Sequence, residues 1–96
     1  MLVDNQQAKQ FQFELEQGVI ARIEYIKTQD GRIYLTHTEV PQAYGGKGIG
    51  SKLIGQTLEL IKAQGWSLIP LCPFVVKYLH RHPEWKALVP EGINIG

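Results

Sequence analysis

Apolar and polar residues alternate strictly near the start of the chain: Phe11, Phe13 and Leu15 are apolar, while Gln12, Glu14 and Glu16 are polar. A period of two is that of a strand with one face buried. Gln17 and Gly18 supply a turn, and the alternation resumes over VIARIEYIK (19–27), where Ala21, Ile23 and Tyr25 share a face. Gln29-Asp30-Gly31 is a hairpin signal, because Asp-Gly accepts the positive φ values of tight turns. RIYLTHTEV (32–40) reads as a third strand. Three strands joined by short turns predict an antiparallel meander. Pro41, with no N–H to donate, ends it.

The period then changes. From Ile49 the apolar positions Leu53, Ile54, Leu58 and Ile61, with Leu60 beside them, form a helical stripe. Gly65 is placed to stop that helix. WSLIPL (66–71) fits a fourth strand, with Pro70 marking an edge or a bulge. Pro73 suits the first turn of a second helix, which FVVKYLHRH continues and Pro83 ends. The tail EWKALVPEGINIG carries glycine and proline punctuation and one short strand around residues 86–89. The order is β-β-β-α-β-α. The third and fourth strands, joined through a helix, form a right-handed parallel crossover. The expected fold class is α+β: a mixed sheet, antiparallel at its N-terminal side and covered by the helices. Residues 1–96 make a single domain, with no repeat, linker or low-complexity segment.

Composition narrows the function only modestly. The 96 residues carry 44% apolar and 20% charged positions and a net charge of +1, so no strong field for polyanions exists. Lysines and arginines are scattered, which argues against nucleic acid as a partner. Apolar runs are too short to span a bilayer. The polar N-terminus lacks a signal-peptide core. Cys72 is the single cysteine, which excludes an internal disulfide and a multi-cysteine metal site. These features point to a cytoplasmic protein.

One stretch stands apart. VPQAYGGKGIGSKLIGQTLELI (40–61) places four glycines within residues 45–50, directly before the helix. The first N–H groups of a helix have no internal partner, and the dipole adds partial positive charge there. Glycines let a ligand approach those amides. The combination is a cradle for a phosphate or pyrophosphate, with Lys47, Lys52 and Ser51 adding charge and a hydroxyl. A Walker loop requires Gly-Lys-Ser/Thr, but Ser51-Lys52 reverses that order. A dinucleotide fingerprint would put Ser51 at its third glycine and follows a parallel strand, not a meander. A flexible loop without a ligand is the remaining alternative.

The run Gly48-Ile49-Gly50-Ser51-Lys52-Leu53 resembles the cofactor loop of the GNAT acyl-CoA-dependent N-acetyltransferases, whose pattern is Arg/Gln-x-x-Gly-x-Gly/Ala, commonly ending Gly-Ile-Gly-x-x-Leu. Gly45 occupies the Arg/Gln position. HTEVP, the glycine loop, SLIPLC and PFVVKYLHRHPEW together resemble the compact, single-domain GNAT-like group of small acetyltransferases, which lack the usual helices between the first two strands. The passage through Gln17-Gly18 agrees with that abbreviation.

The resemblance implies an abbreviated GNAT fold with two splayed strands and acetyl-CoA (coenzyme A) as cofactor. It implies that Thr38, Glu39 and Val40 offer backbone groups to the pantetheine arm. Gly45, Gly46, Lys47, Gly48, Ile49, Gly50 and Ser51 would hold the pyrophosphate, and the thioester would lie near Cys72. A cysteine between a strand end and Pro-Phe sits near a helix N-terminus, where the dipole favours thiolate. Cys72 could accept the acetyl group, protonate the departing CoA sulfur, or only pack. Tyr78 matches the helix on which many GNAT enzymes carry a tyrosine acid, and it equally suits a core position. His37 and Glu39 share a strand face, as a base with its orienting carboxylate or as a surface pair. His80 and His82 suit a helix C-terminus, and Trp85 anchors the tail.

Two function classes follow. One is an acetyltransferase moving an acetyl group from acetyl-CoA to an amine acceptor, as a monomer or weak homodimer with no nucleic-acid or membrane partner. The other is a non-catalytic acyl-CoA-binding module that signals or binds a partner. A structural domain using an exposed strand edge is a third.

Overall fold

The computed structural model describes residues 2–95. Five strands form one sheet in sequence order: β1 (Leu2–Asn5), β2 (Gln10–Glu16), β3 (Val19–Lys27), β4 (Arg32–Glu39) and β5 (Ser67–Pro70). The first four pair antiparallel, and β4 pairs with β5 parallel. Helix α1 (Ile49–Gln64) makes the crossover between β4 and β5, and α2 (Pro73–Arg81) follows β5. The expected mixed sheet is therefore present, with β1 added at its far edge.

The strand registers carry the alternation across the sheet. Phe11 pairs with Ile23, Phe13 with Ala21, Tyr25 with Leu35, and Ile33 with Leu68. All eight side chains belong to one core, which α1 joins through Leu53, Ile54, Leu58 and Ile61, and α2 through Val75 and Leu79. Each fully buried Leu or Ile contributes about 1.5–3 kcal/mol relative to exposure. The opposite face is polar where the rows Gln12–Arg22–Glu39 and Gln10–Glu24–His37 cross it.

β1 breaks no sequence rule but gives little signal, being four residues with one apolar position on each face. It is held by pairing to β2, and the Tyr25 hydroxyl donates to Asp4 Oδ1 at 2.6 Å. The tail differs from expectation. Residues 83–88 form 3₁₀ turns over Pro83–Leu88, and the strand expected around residues 86–89 is absent. Pro83 presets a helical φ, and the Trp85 and Val89 amides close turns onto the His82 and Lys86 carbonyls, so no ladder remains for them. Trp85 packs against the core as the tail anchor. Among the described residues no helix is long and apolar enough to cross a membrane.

One irregularity positions the site. Glu24 pairs with His37 and Tyr25 with Leu35, so Thr36 is an extra residue in β4. Its hydroxyl donates to the Glu24 carbonyl at 3.2 Å. A bulge bends its strand and sharpens the local twist. On the other side of β4, the ladder to β5 ends at Leu35–Pro70, where the Leu35 carbonyl accepts from both Leu71 and Cys72 amides at 3.1 and 3.0 Å. Beyond that point β4 continues and β5 does not, so the edge of residues 36–39 has no strand partner. The splay that the resemblance implied begins at the bulge.

Candidate functional site

The parted edge of β4 opens a groove of about 510 Å³. Thr38, Glu39 and Val40 form one wall, Gly45, Gly46, Gly48, Ile49, Gly50 and Ser51 the end of the groove, and Tyr44 and Phe74 its flanks. This size lies within the range of small-molecule and cofactor clefts. Nine of the ten residues expected to contact the cofactor line it. Lys47 does not; its ammonium lies 5.4 Å from the centre of the Tyr44 ring.

The loop is shaped for its amides. Gly46 and Gly48 adopt left-handed conformations, with φ of 77° and 75°. Side chains rarely tolerate this region. Gly48 is the N-cap of α1, no side chain caps the helix, and no acidic residue occupies its first turn. The Gly45 amide bonds back to Gln42, and the first helical hydrogen bond runs from Lys52 N to the Gly48 carbonyl. Among the described residues, the amides of residues 46–51 donate to no protein atom. Six free donors on an acid-free helix start are an anion cradle.

Cys72 lies behind the groove wall. It is the N-cap of α2, buried to 4% exposure, and its Sγ donates to Thr38 Oγ1 at 3.4 Å. The bulge brings this about. Thr38 pairs with Ile23 and so shares the core-side face, toward the helices, while His37 and Glu39 share the other. The thiol thus reaches the groove through the Thr38 hydroxyl. Leu71 and Phe74, on either side of Cys72 and Pro73, are exposed apolar side chains.

His37 and Glu39 stand together on the polar sheet face, with His37 Nε2 3.1 Å from Glu39 Oε1. Arg22 continues the chain, 3.2 Å from Glu39 and 3.1 Å from Glu24. The hydrogen bond to His37, then the Arg22 charge, hold the Glu39 carboxyl below the usual carboxylate range. Glu39 is the member of this group that also lines the groove.

Tyr78 occupies a third place. It lines a second groove, of about 460 Å³, between α1 and the C-terminal part of the chain, with its ring 4.3 Å from that of His82. Its hydroxyl packs against α1 so closely that a Cβ at Gly55 would come within 2.9 Å of it. Burial, then the Glu84 and Glu59 carboxylates, raise its pKa above the ordinary tyrosine value. Cys72, His37 and Tyr78 therefore border different surfaces. Cys72 reaches the first groove through Thr38, His37 through Glu39, and Tyr78 lines the second groove.

Tyr44 and Phe74 were not singled out by the sequence. Tyr44 precedes the glycines and is fixed by its hydroxyl donating to Glu16 Oε1. Phe74 follows the Pro that opens α2, and its ring lies 3.4 Å from where a Cβ on Gly50 would stand. The available signal was an aromatic directly before the glycine-rich loop for Tyr44, and one directly after the helix-opening proline for Phe74.

The geometry now stands beside a sequence comparison. The profile of a family described as GCN5-related N-acetyl-transferase matches residues 10–88, which runs from the start of β2 to the end of the 3₁₀ segment. The match covers the glycine loop, both helices and the parted strands, and on this basis the chain belongs to the GCN5-related N-acetyltransferase family.

Proposed function

We propose that the protein is an acetyl-CoA-dependent N-acetyltransferase whose acceptor is an amine. The carrying observation is the set of unbonded amides of Gly46 and of residues 48–51, at the end of a groove whose wall is an unpaired strand edge. The amides suit a pyrophosphate. The edge of residues 38–40 suits the amides of a pantetheine arm, which would add to β4 as a further strand. Acetyl-CoA supplies an acyl group on a good leaving thiol.

The chain's own groups provide the rest. Cys72 is the candidate nucleophile. The Thr38 hydroxyl would relay the thiol proton to the departing CoA sulfur as the Cys72 sulfur bonds the acyl carbon; the amine would then take the acyl group, and the proton it loses would restore the thiol. The Thr38 hydroxyl orients the thiol. His37, steadied by Glu39, is the candidate base for the acceptor ammonium, and its place on the polar face supports an acceptor approach from that side of β4. Tyr78 is retained as a candidate acid of lower rank, because it borders the second groove.

The test is acetyl transfer to a panel of amines, followed as free CoA thiol. Cys72→Ala is expected to lower turnover at least about 100-fold, the usual scale for loss of a group that takes part in the chemical step, while retaining acetyl-CoA binding. Mass spectrometry should find an acetyl group on Cys72 that disappears when amine is added. Wild-type turnover by the Cys72→Ala protein at saturating acetyl-CoA removes the thiol from the mechanism.

The separation of Cys72, His37 and Tyr78 favours a second reading, an acyl-CoA-binding module without catalysis. Thermal stabilisation by acetyl-CoA with no thiol release for any amine would select it.

A further inference from the structure

The glycine loop that ends the first groove also borders two further concavities. Ser51 and Phe74 also border a small recess beside α2, and Ser51 and Tyr78 carry that recess into the second groove. Three cations stand along this path. Lys77 and Arg81 line the recess, and Lys52 lines the second groove. All three are exposed, and among the described residues none has an acidic or hydrogen-bonding partner. Five other basic side chains are engaged, Arg22 and Arg32 in ion pairs and Lys27, Lys47 and Lys62 over aromatic rings, while Lys9 and Lys86 line none of these three concavities. Lys77 and Arg81 are also four apart on one helix, a like-charge spacing that destabilises it. The α2 dipole compensates Arg81 in the last turn, but leaves Lys77 and Lys52 unexplained.

We infer that Lys52, Lys77 and Arg81 form a subsite for a phosphate monoester, the 3′-phosphate of coenzyme A, so that the protein selects CoA over dephospho-CoA. The inference rests on the coenzyme reading above. A diphosphate on the amides of residues 46–51 leaves the nucleotide end to pass Ser51, and the recess, of about 40 Å³, adjoins that point. A monoester dianion suits cations placed along one path, with Arg81 able to offer two parallel N–H donors. The second groove then takes the base. Gln56 and Glu59 on its α1 wall supply an amide and a carboxylate for an exocyclic amine, and the Trp85 ring supplies an apolar surface. Glu59 lines the second groove and not the recess that holds Lys77 and Arg81. Gly55 contributes by admitting the Tyr78 hydroxyl against α1, which sets the groove floor.

Calorimetric titration of the full chain with CoA and with dephospho-CoA, at low and at high salt, tests this. CoA is expected to bind about tenfold tighter at low salt, the scale of one charge-assisted contact surviving solvent exposure. That ratio should shrink as salt screens the exposed charges. The Lys77→Gln/Arg81→Gln double variant should bind both ligands alike, and its binding of dephospho-CoA shows that it is folded. Equal affinities in the unchanged protein, or a preference that survives in the double variant, overturn the subsite and leave the coenzyme reading standing. Failure of both ligands to bind overturns the two together.

Discussion

The two halves of β4 are equally long, one mostly apolar (RIYL) and one wholly polar (THTE), and do opposite things. Residues 32–35 are paired to β5, and 33–35 to β3 as well, and their core-side members Ile33 and Leu35 are fully buried. Residues 36–39 are paired to β3 alone, and their core-side member Thr38 meets a thiol and a groove. The dividing point is one extra residue, Thr36. Strand pairing supplies stability where it is complete. Where it stops, it leaves main-chain donors and acceptors that a ligand can use. The fold places its cohesion and its candidate binding surface on one strand, four residues each.

The largest break in this contrast is expected from the paired half. Leu35→Ala should lower unfolding free energy by about 2–5 kcal/mol in urea denaturation, the range for buried Leu truncation. Deletion of Thr36 should act on the other half. It removes the bulge while keeping the pairs Glu24–His37 and Tyr25–Leu35, straightens β4 and narrows the groove. Acetyl-CoA affinity should fall about tenfold or more in calorimetry, with a smaller loss of stability than Leu35→Ala. A deletion variant that binds as tightly as the unchanged chain would show that the bulge does not create the site.

Gly48→Val tests the loop that closes the parted half. A β-branched residue held at positive φ costs about 1–3 kcal/mol. The loop can relieve that strain only by turning amides away from the groove, so acetyl-CoA binding should weaken several-fold with little change in the core. Near-normal binding with the strain visible as a lower Tm would mean that the amides are not the ligand's anchor.

The smallest effect concerns the polar face of the parted half. The Glu39 carboxyl titrates below the usual range because of His37 and then Arg22. A carboxyl lowered in the folded state adds stability that is present above its unfolded pKa and lost as pH falls through the folded one. Arg22→Gln removes one of the two causes, so the Glu39 midpoint in a carboxyl NMR titration should rise toward the ordinary value. Because the group is exposed, the thermal midpoint should barely move between neutral and mildly acid pH. An unmoved Glu39 midpoint would exclude Arg22 as a partner in solution.

Much of the architecture could be read from residue spacing. The alternation through Phe11, Phe13, Ala21, Ile23 and Tyr25 is the core face of β2 and β3, and Leu53, Ile54, Leu58 and Ile61 are the buried stripe of α1. Gly65 caps α1, its amide bonding the Ile61 and Lys62 carbonyls, and Pro73 opens α2. These are local effects of backbone geometry and of one apolar face per element. β1 was not legible, since its stability comes from pairing and from the Tyr25–Asp4 bond rather than from its own four residues. The 3₁₀ tail was misread because Lys86-Ala87-Leu88-Val89 has strand-like apolarity, while Pro83 and the turn amides govern its path.

The sequence by itself determined that a glycine-rich, acid-free helix start follows the third strand of a meander, and that a cysteine precedes a proline-opened helix. Those statements depend only on neighbours in the chain. Tertiary structure alone decided that Thr36 bulges, that Thr38 turns to the thiol while His37 turns away, and that Tyr78 packs on Gly55 in a separate groove. Each of these depends on which strand or helix arrives from elsewhere, and a single inserted residue in β4 reverses which side chains face the core. No period in the chain encodes that, because the bulge is fixed by its partners: the β3 carbonyl that the Thr36 hydroxyl reaches and the Leu35 carbonyl where β5 lets go.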